Sequence, residues 1–349
     1  MRNPHAFTQP LAVGAPAPPG ELPPSPSRVI HFFDPSNERM VARLPELAAR
    51  CDVVAANLED GVPPERKEAA RAGLVALAGA VDLGGAALWV RINALDSPWA
   101  FDDLVTLVSE IGDRVAVLIV PKVAGPWDID YLDRLIAQLE ARAGLTRPVL
   151  VHPVIETAIG VVNVEAIAAA SPRLQGMSLG PADLAASRGM RTTRVGGGHP
   201  GYAVLADPDP QAPDAPRASA QQDLWHYSLA RMVDACAAVG RLPYYGPFGD
   251  IADLAGCEAQ FRSAFVLGCV GAWSLHPSQI DVARRVFSPE PAEVAFARRV
   301  LAASPDGTGA LMLDGRMQDD ATWKQSRALV TLADMLAARD PELAARYAG

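Results

Sequence analysis

Short, unbroken apolar runs alternate along the chain with longer stretches in which apolar residues recur every three or four positions. The runs are Val29–Phe33, Val53–Leu58, Ala87–Ile92, Val115–Val120, Val149–Ile155, Gly176–Leu179, Leu242–Gly246 and Ala272–Leu275. Each is of strand length, and none alternates polar with apolar residues, so both faces of each strand are expected to be buried. The periodic stretches predict helices over Glu38–Arg50, Glu65–Ala78, Phe101–Ile111, Ile129–Arg142, Val161–Ala170, Leu224–Val239, Cys257–Leu267 and Ser278–Val286. Eight β/α units with doubly buried strands predict an α/β fold with a parallel sheet, closed as a TIM barrel. An open doubly wound sheet is the competing arrangement. Its nucleotide-binding form carries a G-x-G-x-x-G turn after the first strand, and none is present.

Three segments depart from a plain barrel. Residues 1–27 hold eight prolines and are expected to form an extended arm. A Gly- and Pro-rich insertion, about Pro181 to Ser219, follows the sixth strand and reads as a lid or substrate loop. After the eighth unit, SPDGTGALMLDGRMQDDATW leads into a last helix, Trp323–Arg339, which is too small to stand alone and is expected to pack across another subunit. The division predicted is an arm at 1–27, a catalytic barrel at 28–303 and a C-terminal extension at 304–349.

With 50% hydrophobic residues among 349, the chain can bury a large core without covalent help. Forty acidic residues against 31 basic ones, a net charge of -9, argue against nucleic acid as the main partner. Cys51, Cys236, Cys257 and Cys269 show no metal or redox spacing and read as reduced core residues of a cytoplasmic protein. No apolar run is long enough to span a membrane.

In an α/β barrel, chemistry sits where strands end, so a polar residue just after an apolar run carries information. Such residues are Glu59 and Asp60 after the second strand, Arg91 and Asn93 at the third, Lys122 at the fourth, Glu156 at the fifth, Asp183 past the sixth and His276 at the eighth. Glu156 and Asp183, on neighbouring strand ends, can share one hard cation and leave room for water and substrate, which suits Mg²⁺ or Mn²⁺. The alternative is that each merely caps the following helix. Arg91 ends an apolar strand, where its permanent charge suits a carboxylate or an oxyanion, or else a structural pair with Glu59 or Asp60. A buried Lys122 invites a Schiff-base role, but neighbouring carboxylates would raise its pKa and oppose it. His31 and His152, inside apolar strands, read as structural hydrogen-bonding residues.

The strings NLEDGVPPERKEAAR, WVRINALDSPW, VPKVAGPWD, HPVIETAIGVVN, SLGPADLAASRGM, SLHPSQI and DGRMQDDATWKQ resemble the citrate lyase β-subunit-like aldolase superfamily. Within it the chain most resembles the malyl-CoA/β-methylmalyl-CoA lyases, including those that also cleave citramalyl-CoA. The resemblance implies Mg²⁺ or Mn²⁺ held at Glu156 and Asp183, Arg91 contacting the thioester oxygen or the oxo acid, and coenzyme A entering as part of the substrate. It further implies that a tail aspartate, matching Asp319 with Asp314 and Asp320 close by, reaches an adjacent subunit as general acid/base, in a homo-oligomer, commonly a hexamer built from trimers. The chain departs from the wider superfamily at Asn57, often Asp, and at Arg316, where a lysine is usual.

By this reading the reaction joins or cleaves a carbon–carbon bond between acetyl-CoA or propionyl-CoA and glyoxylate or pyruvate, through an enolate. Arg28, Arg66 and Lys67 are candidate contacts for the phosphates of coenzyme A. Two other readings are a malyl-CoA thioesterase, which would release thiol without oxo acid, and a non-catalytic CoA-binding barrel.

Overall fold

The computed structural model describes residues 12–17, 22, 25–192 and 194–348. Most of the expected N-terminal arm therefore lies outside the described residues. Eight parallel strands close into a barrel, each hydrogen-bonded to the next in sequence and the eighth to the first. They are β1 (Val29–Phe33), β2 (Val53–Asn57), β3 (Ala87–Arg91), β4 (Val115–Val120), β5 (Leu150–Ile155), β6 (Gly176–Leu179), β7 (Leu242–Tyr245) and β8 (Gly271–Ser274). The doubly buried runs thus become what their pattern requires. Ile30, Phe32, Val53, Ala55, Trp89, Val117, Ile119, Val154, Tyr244 and Trp273 fill the barrel, while alternate residues pack outward under the helices.

Proline and asparagine account for several departures from the expected helices. The stretch Glu38–Arg50 forms two short helices, Glu38–Ala42 and Leu44–Ala48, because Pro45 has no N–H to continue the first. The stretch after β5 likewise divides into Ala158–Val162 and Val164–Ala168 at Asn163, whose amide turns aside to Ala124 O (2.8 Å). The insertion is more ordered than a loop. It opens with a helix, Pro181–Ser187, for which Pro181 supplies a ready first-turn φ, and it carries an exposed antiparallel hairpin, Ala203–Leu205 with Ser219–Gln221.

Beyond β8 and its helix Ser278–Val286, a helix not foreseen, Pro291–Ala303, shares a small core with Asp320–Ala337 and Pro341–Ala348 through Val294, Ala333, Leu336, Leu343 and Tyr347. Between them Leu311–Leu313 and Arg316–Gln318 form a hairpin. Its turn residues Asp314 and Gly315 both have positive φ, as a two-residue primed turn demands. The tail is tied to the strand-start end of the barrel: Asp340 pairs with Arg284 (2.8 Å) and lies 3.8 Å from Arg28, which is itself clamped by Asp52. All four cysteines are free and buried. Among the described residues, no helix is long and apolar enough to cross a membrane.

Two buried histidines sit on the strands. His31 bonds Ser274 Oγ (3.0 Å), and His152 lies inside the barrel between Gln175 and Ser178. Burial lowers each to a pKa of about 4. Both stay neutral in the folded chain but gain a proton below about 6.5 once unfolded. Their contribution to stability is therefore complete above pH 6.5 and lost as pH falls towards 4, on the order of 3 kcal/mol for each. Urea unfolding at pH 7 and pH 4.5 should show this loss, and His152→Gln should flatten the slope.

Candidate active site

Because all eight strands run the same way, residues that follow apolar runs gather at one end of the barrel. Glu59, Asp60, Arg91, Lys122, Glu156 and Asp183 meet there, as the spacing predicted. Lys122 is the hub. Its ammonium contacts Glu59 Oε1, Asp60 Oδ2 (3.0 Å) and Asp183 Oδ1 (3.6 Å), while its backbone N–H donates to Glu156 Oε1 (2.8 Å). One residue can serve both sides only because its backbone is left-handed, with φ 55°. A non-glycine residue held this way carries strain, which accumulates at functional sites.

Arg91 projects from the end of β3. Its Nε donates to Asn57 Oδ1 (2.8 Å) and its NH2 to Asp60 O (3.2 Å), and NH1 lies 3.4 Å from Glu59 Oε2. The pairing with Glu59 foreseen for a structural arginine is thus present, but Asp60 contributes its carbonyl and not its carboxylate. Five N–H groups exceed these three partners, so donors remain for an incoming anion. The guanidinium also lies over the rings of Phe32 and Trp273, 5.4 and 5.9 Å from their centroids, a cation–π arrangement. Asn57 accepts from Arg91 and from Glu59 N and donates to Asp60 O, a dual role that an aspartate could not fill.

Charge is concentrated here in a way that calls for a cation. Burial, then the nearby charge of Asp183, pushes the Glu156 carboxyl up to about 8. Burial also works against charge on Lys122, yet its bonds to Glu59 and Asp60 win and raise its pKa. An ammonium so firmly protonated is a poor amine nucleophile, which removes the Schiff-base role. Burial would raise Asp60, but its bond to Lys122 outweighs that and lowers it. Glu59 Oε2 is buried without a hydrogen-bond partner.

Two carboxylates with room for water are the donor set that Mg²⁺ or Mn²⁺ takes; among the described residues no group of three or more ligand side chains converges. The fit is supported by Gly180, where any β-carbon would collide with the Glu156 carboxylate and its Cβ. Glycine there leaves the space in which Glu156 lies. Its φ is ordinary (−105°), so space and not backbone freedom is the reason for it. Gly180→Ala should therefore weaken Mn²⁺ binding roughly 10–100-fold, as loss of support around a ligand does, measured by calorimetric titration.

Other expected residues are not gathered here. Arg28 precedes β1 and so lies at the opposite end of a parallel barrel, bonded to Asp52 and Ser288; it cannot serve a ligand at the strand ends. Lys67 is buried and spends its ammonium on Leu58 O and Glu59 O (both 2.8 Å), bracing the loop that carries Glu59. Arg66 is exposed, with NH2 on Ser36 O (2.6 Å). Asn93 binds Asp103, which also pairs with Arg71, and is structural. Asp319 caps the helix Asp320–Ala337. Its neighbours Gln318 and Thr322 line a groove of about 1550 Å³ whose far wall includes Arg28, Leu242 and Val270, at the strand-start end of its own barrel. Asn57, Gly180, Phe32 and Trp273 were not singled out as site residues in the sequence; of these, Asn57 alone gave a signal, as a departure from the superfamily.

Residues 28–201 match the HpcH/HpaI aldolase/citrate lyase family. The malyl-CoA/β-methylmalyl-CoA/citramalyl-CoA lyase of Chloroflexus aurantiacus is 58% identical over 98% of both chains. The L-malyl-CoA/β-methylmalyl-CoA lyase of Cereibacter sphaeroides is 40% identical over 93% of this chain and 98% of its own. Among solved structures, the CitE protein of Mycobacterium tuberculosis, in complex with magnesium, acetoacetate and coenzyme A, superposes with a TM-score of 0.66 at 27% identity, over 89% of this chain and 98% of its own. Shared fold and near-full-length identity agree: the chain belongs to the HpcH/HpaI aldolase/citrate lyase family, among its malyl-CoA/β-methylmalyl-CoA lyases.

Proposed function

We propose that the chain reversibly cleaves malyl-CoA, together with β-methylmalyl-CoA and citramalyl-CoA, into acetyl-CoA or propionyl-CoA and glyoxylate or pyruvate. The observation that carries this reading is that Lys122 ties the carboxylate pair Glu156 and Asp183 to Glu59, against which Arg91 lies with donors to spare, in a chain 58% identical to a lyase of that name. Glu156 and Asp183 hold a divalent cation, Mg²⁺ or Mn²⁺. When bound it supplies Lewis acidity towards the oxygens of the oxo acid.

The remaining work falls to side chains. In the condensing direction a carboxylate takes a proton from the carbon beside the thioester, the enolate oxygen draws charge towards the free N–H groups of Arg91, the enolate carbon attacks the oxo-acid carbonyl, and the alkoxide so formed takes the proton back from the carboxyl. In the cleaving direction the carboxylate takes the proton of the substrate's hydroxyl as the carbon–carbon bond breaks, the electron pair of that bond passes to the enolate held by Arg91, and the acid so formed gives the proton to the enolate carbon. Lys122, fixed among Glu59, Asp60 and Asp183, keeps this acidic surface from repelling an anionic substrate.

Asp319 is the proton carrier we assign. Asp314 is paired with Arg299 (2.6 Å) and Asp320 with Lys324 (2.7 Å). Asp319 makes no ion pair among the described residues, and the backbone N–H of Thr322 lowers its pKa, holding it in the basic form. Its place by the strand-start end of its own barrel favours delivery to a neighbouring copy, within a homohexamer arranged as a dimer of trimers. Arg66, exposed at the strand-end rim, is the coenzyme A contact we retain of the three candidates. Free buried thiols suit a cytoplasmic setting.

Asp183→Ala should abolish metal-dependent turnover of malyl-CoA while thermal unfolding stays nearly unchanged; activity retained at saturating Mg²⁺ would remove the metal role. Mixing Asp183→Ala and Asp319→Ala chains, each inactive alone, should restore turnover after subunit exchange, because one copy then supplies the barrel and the other the tail.

A further inference from the structure

The barrel interior contains a continuous line of polar side chains outside the cluster just described. Trp273, Ser178, His152, Gln175, Tyr244 and Ser27 are all buried. Trp273 Nε1 can only donate, and it donates to Ser178 Oγ (2.9 Å). The hydroxyl hydrogen of Ser178 then goes to His152 Nε2 (2.7 Å), which must be the unprotonated nitrogen. His152 Nδ1 therefore carries the hydrogen and gives it to Gln175 Oε1 (2.9 Å). The amide of Gln175 donates to Tyr244 OH (2.6 Å), and Tyr244 in turn donates to Ser27 Oγ (2.5 Å). Direction is set at two links of the run, by an indole and by an amide nitrogen, neither of which can accept. Reversing any one link would leave a buried group unpaired, at a cost well above that of an ordinary bond.

The upper end of this line lies directly beneath Arg91. The indole of Trp273 packs against Phe32, with centroids 4.6 Å apart and planes tilted by 48°, and the two rings form the surface on which the guanidinium rests. Asn57, Glu59 and Asp60 hold the guanidinium laterally, so its height above the barrel interior is set by this aromatic floor. An indole in a barrel could pivot about its side-chain bonds; the bond to Ser178 prevents it, and His152 fixes Ser178. We infer that Ser178 and His152 are positioning residues, holding Trp273 as the floor that sets the aim of Arg91 at the developing enolate. This rests on the reading of Arg91 as the enolate-binding group.

Ser178→Ala removes the only hydrogen-bond partner that Trp273 Nε1 and His152 Nε2 have among the described residues. A misplacement of Arg91 on the order of 1 Å should lower kcat about 10- to 100-fold, with KM for the thioester moving far less. Ser178→Thr, which keeps the hydroxyl, should recover most of the loss. The decisive measurement is a double-mutant cycle. In an R91Q background the floor has no guanidinium to support, so S178A should cause little further loss. Should S178A prove unstable, W273F keeps a ring and loses the donor, and it should show the same dependence on Arg91. Equal fold losses in both backgrounds, or no loss in the wild-type background, would overturn the positioning role while leaving Arg91 in place. An R91Q variant with unchanged kcat would instead overturn the assignment of Arg91, and this inference with it.

Discussion

The structure depends on holding concentrated charge at the mouth of an apolar barrel. Glu59, Glu156 and Arg91 are buried or nearly so, and Asp60, Lys122 and Asp183 crowd against them. A charge moved out of water is costly unless paired. Each contacts a group from the end of another strand, so that the ends of β2 to β6 are tied to one another. Lys122 takes the largest share of this, reaching carboxylates in the segments after β2, β5 and β6. The carboxyl of Glu156 is left with its ionisation suppressed, and that is the state a divalent cation can reverse.

This arrangement explains why rigidity and reactivity coexist. Glu59 is held by the loop that Lys67 braces and Glu156 by the backbone N–H of Lys122, so the acidic groups are fixed against one another. The donors of Arg91 that are not spent on Asn57, Glu59 and Asp60 are equally fixed. Groups aimed in advance at a place where charge will develop need no reorganisation at the moment of reaction, and this is the main source of electrostatic catalysis.

The eight strands and the strand-end residues were legible because a doubly buried strand writes itself as an unbroken apolar run, and the polar residue that ends the run must lie at the barrel mouth. The same rule, applied to the residue before a run, would have placed Arg28 at the far end with Asp52. What the pattern does not encode is pairing across the fold. Asn93 reads as a mouth residue but is bound by Asp103, and Lys67 reads as a phosphate contact although two carbonyls take its ammonium. The role of Gly180 depends on where Glu156 lies, which no local string reveals. Asp314–Gly315, by contrast, was a readable turn signal that passed as part of an irregular tail. The split helices were signalled by Pro45, less clearly by Asn163.

The ion pairs at the strand-start end join the beginning of the folded chain to its finish. Arg28 enters β1 and Asp52 precedes β2, but Asp340, which lies near both Arg28 and Arg284, stands just ahead of the final helix Pro341–Ala348. A ribosome releases Asp340 long after the first two groups, while β1 must also wait for β8 to close the ring. A nascent chain stalled before β8 would hold a sheet with an open edge, and one stalled between β8 and residue 340 would have its ring of strands but leave Arg284 without its carboxylate; either is a natural target for chaperones.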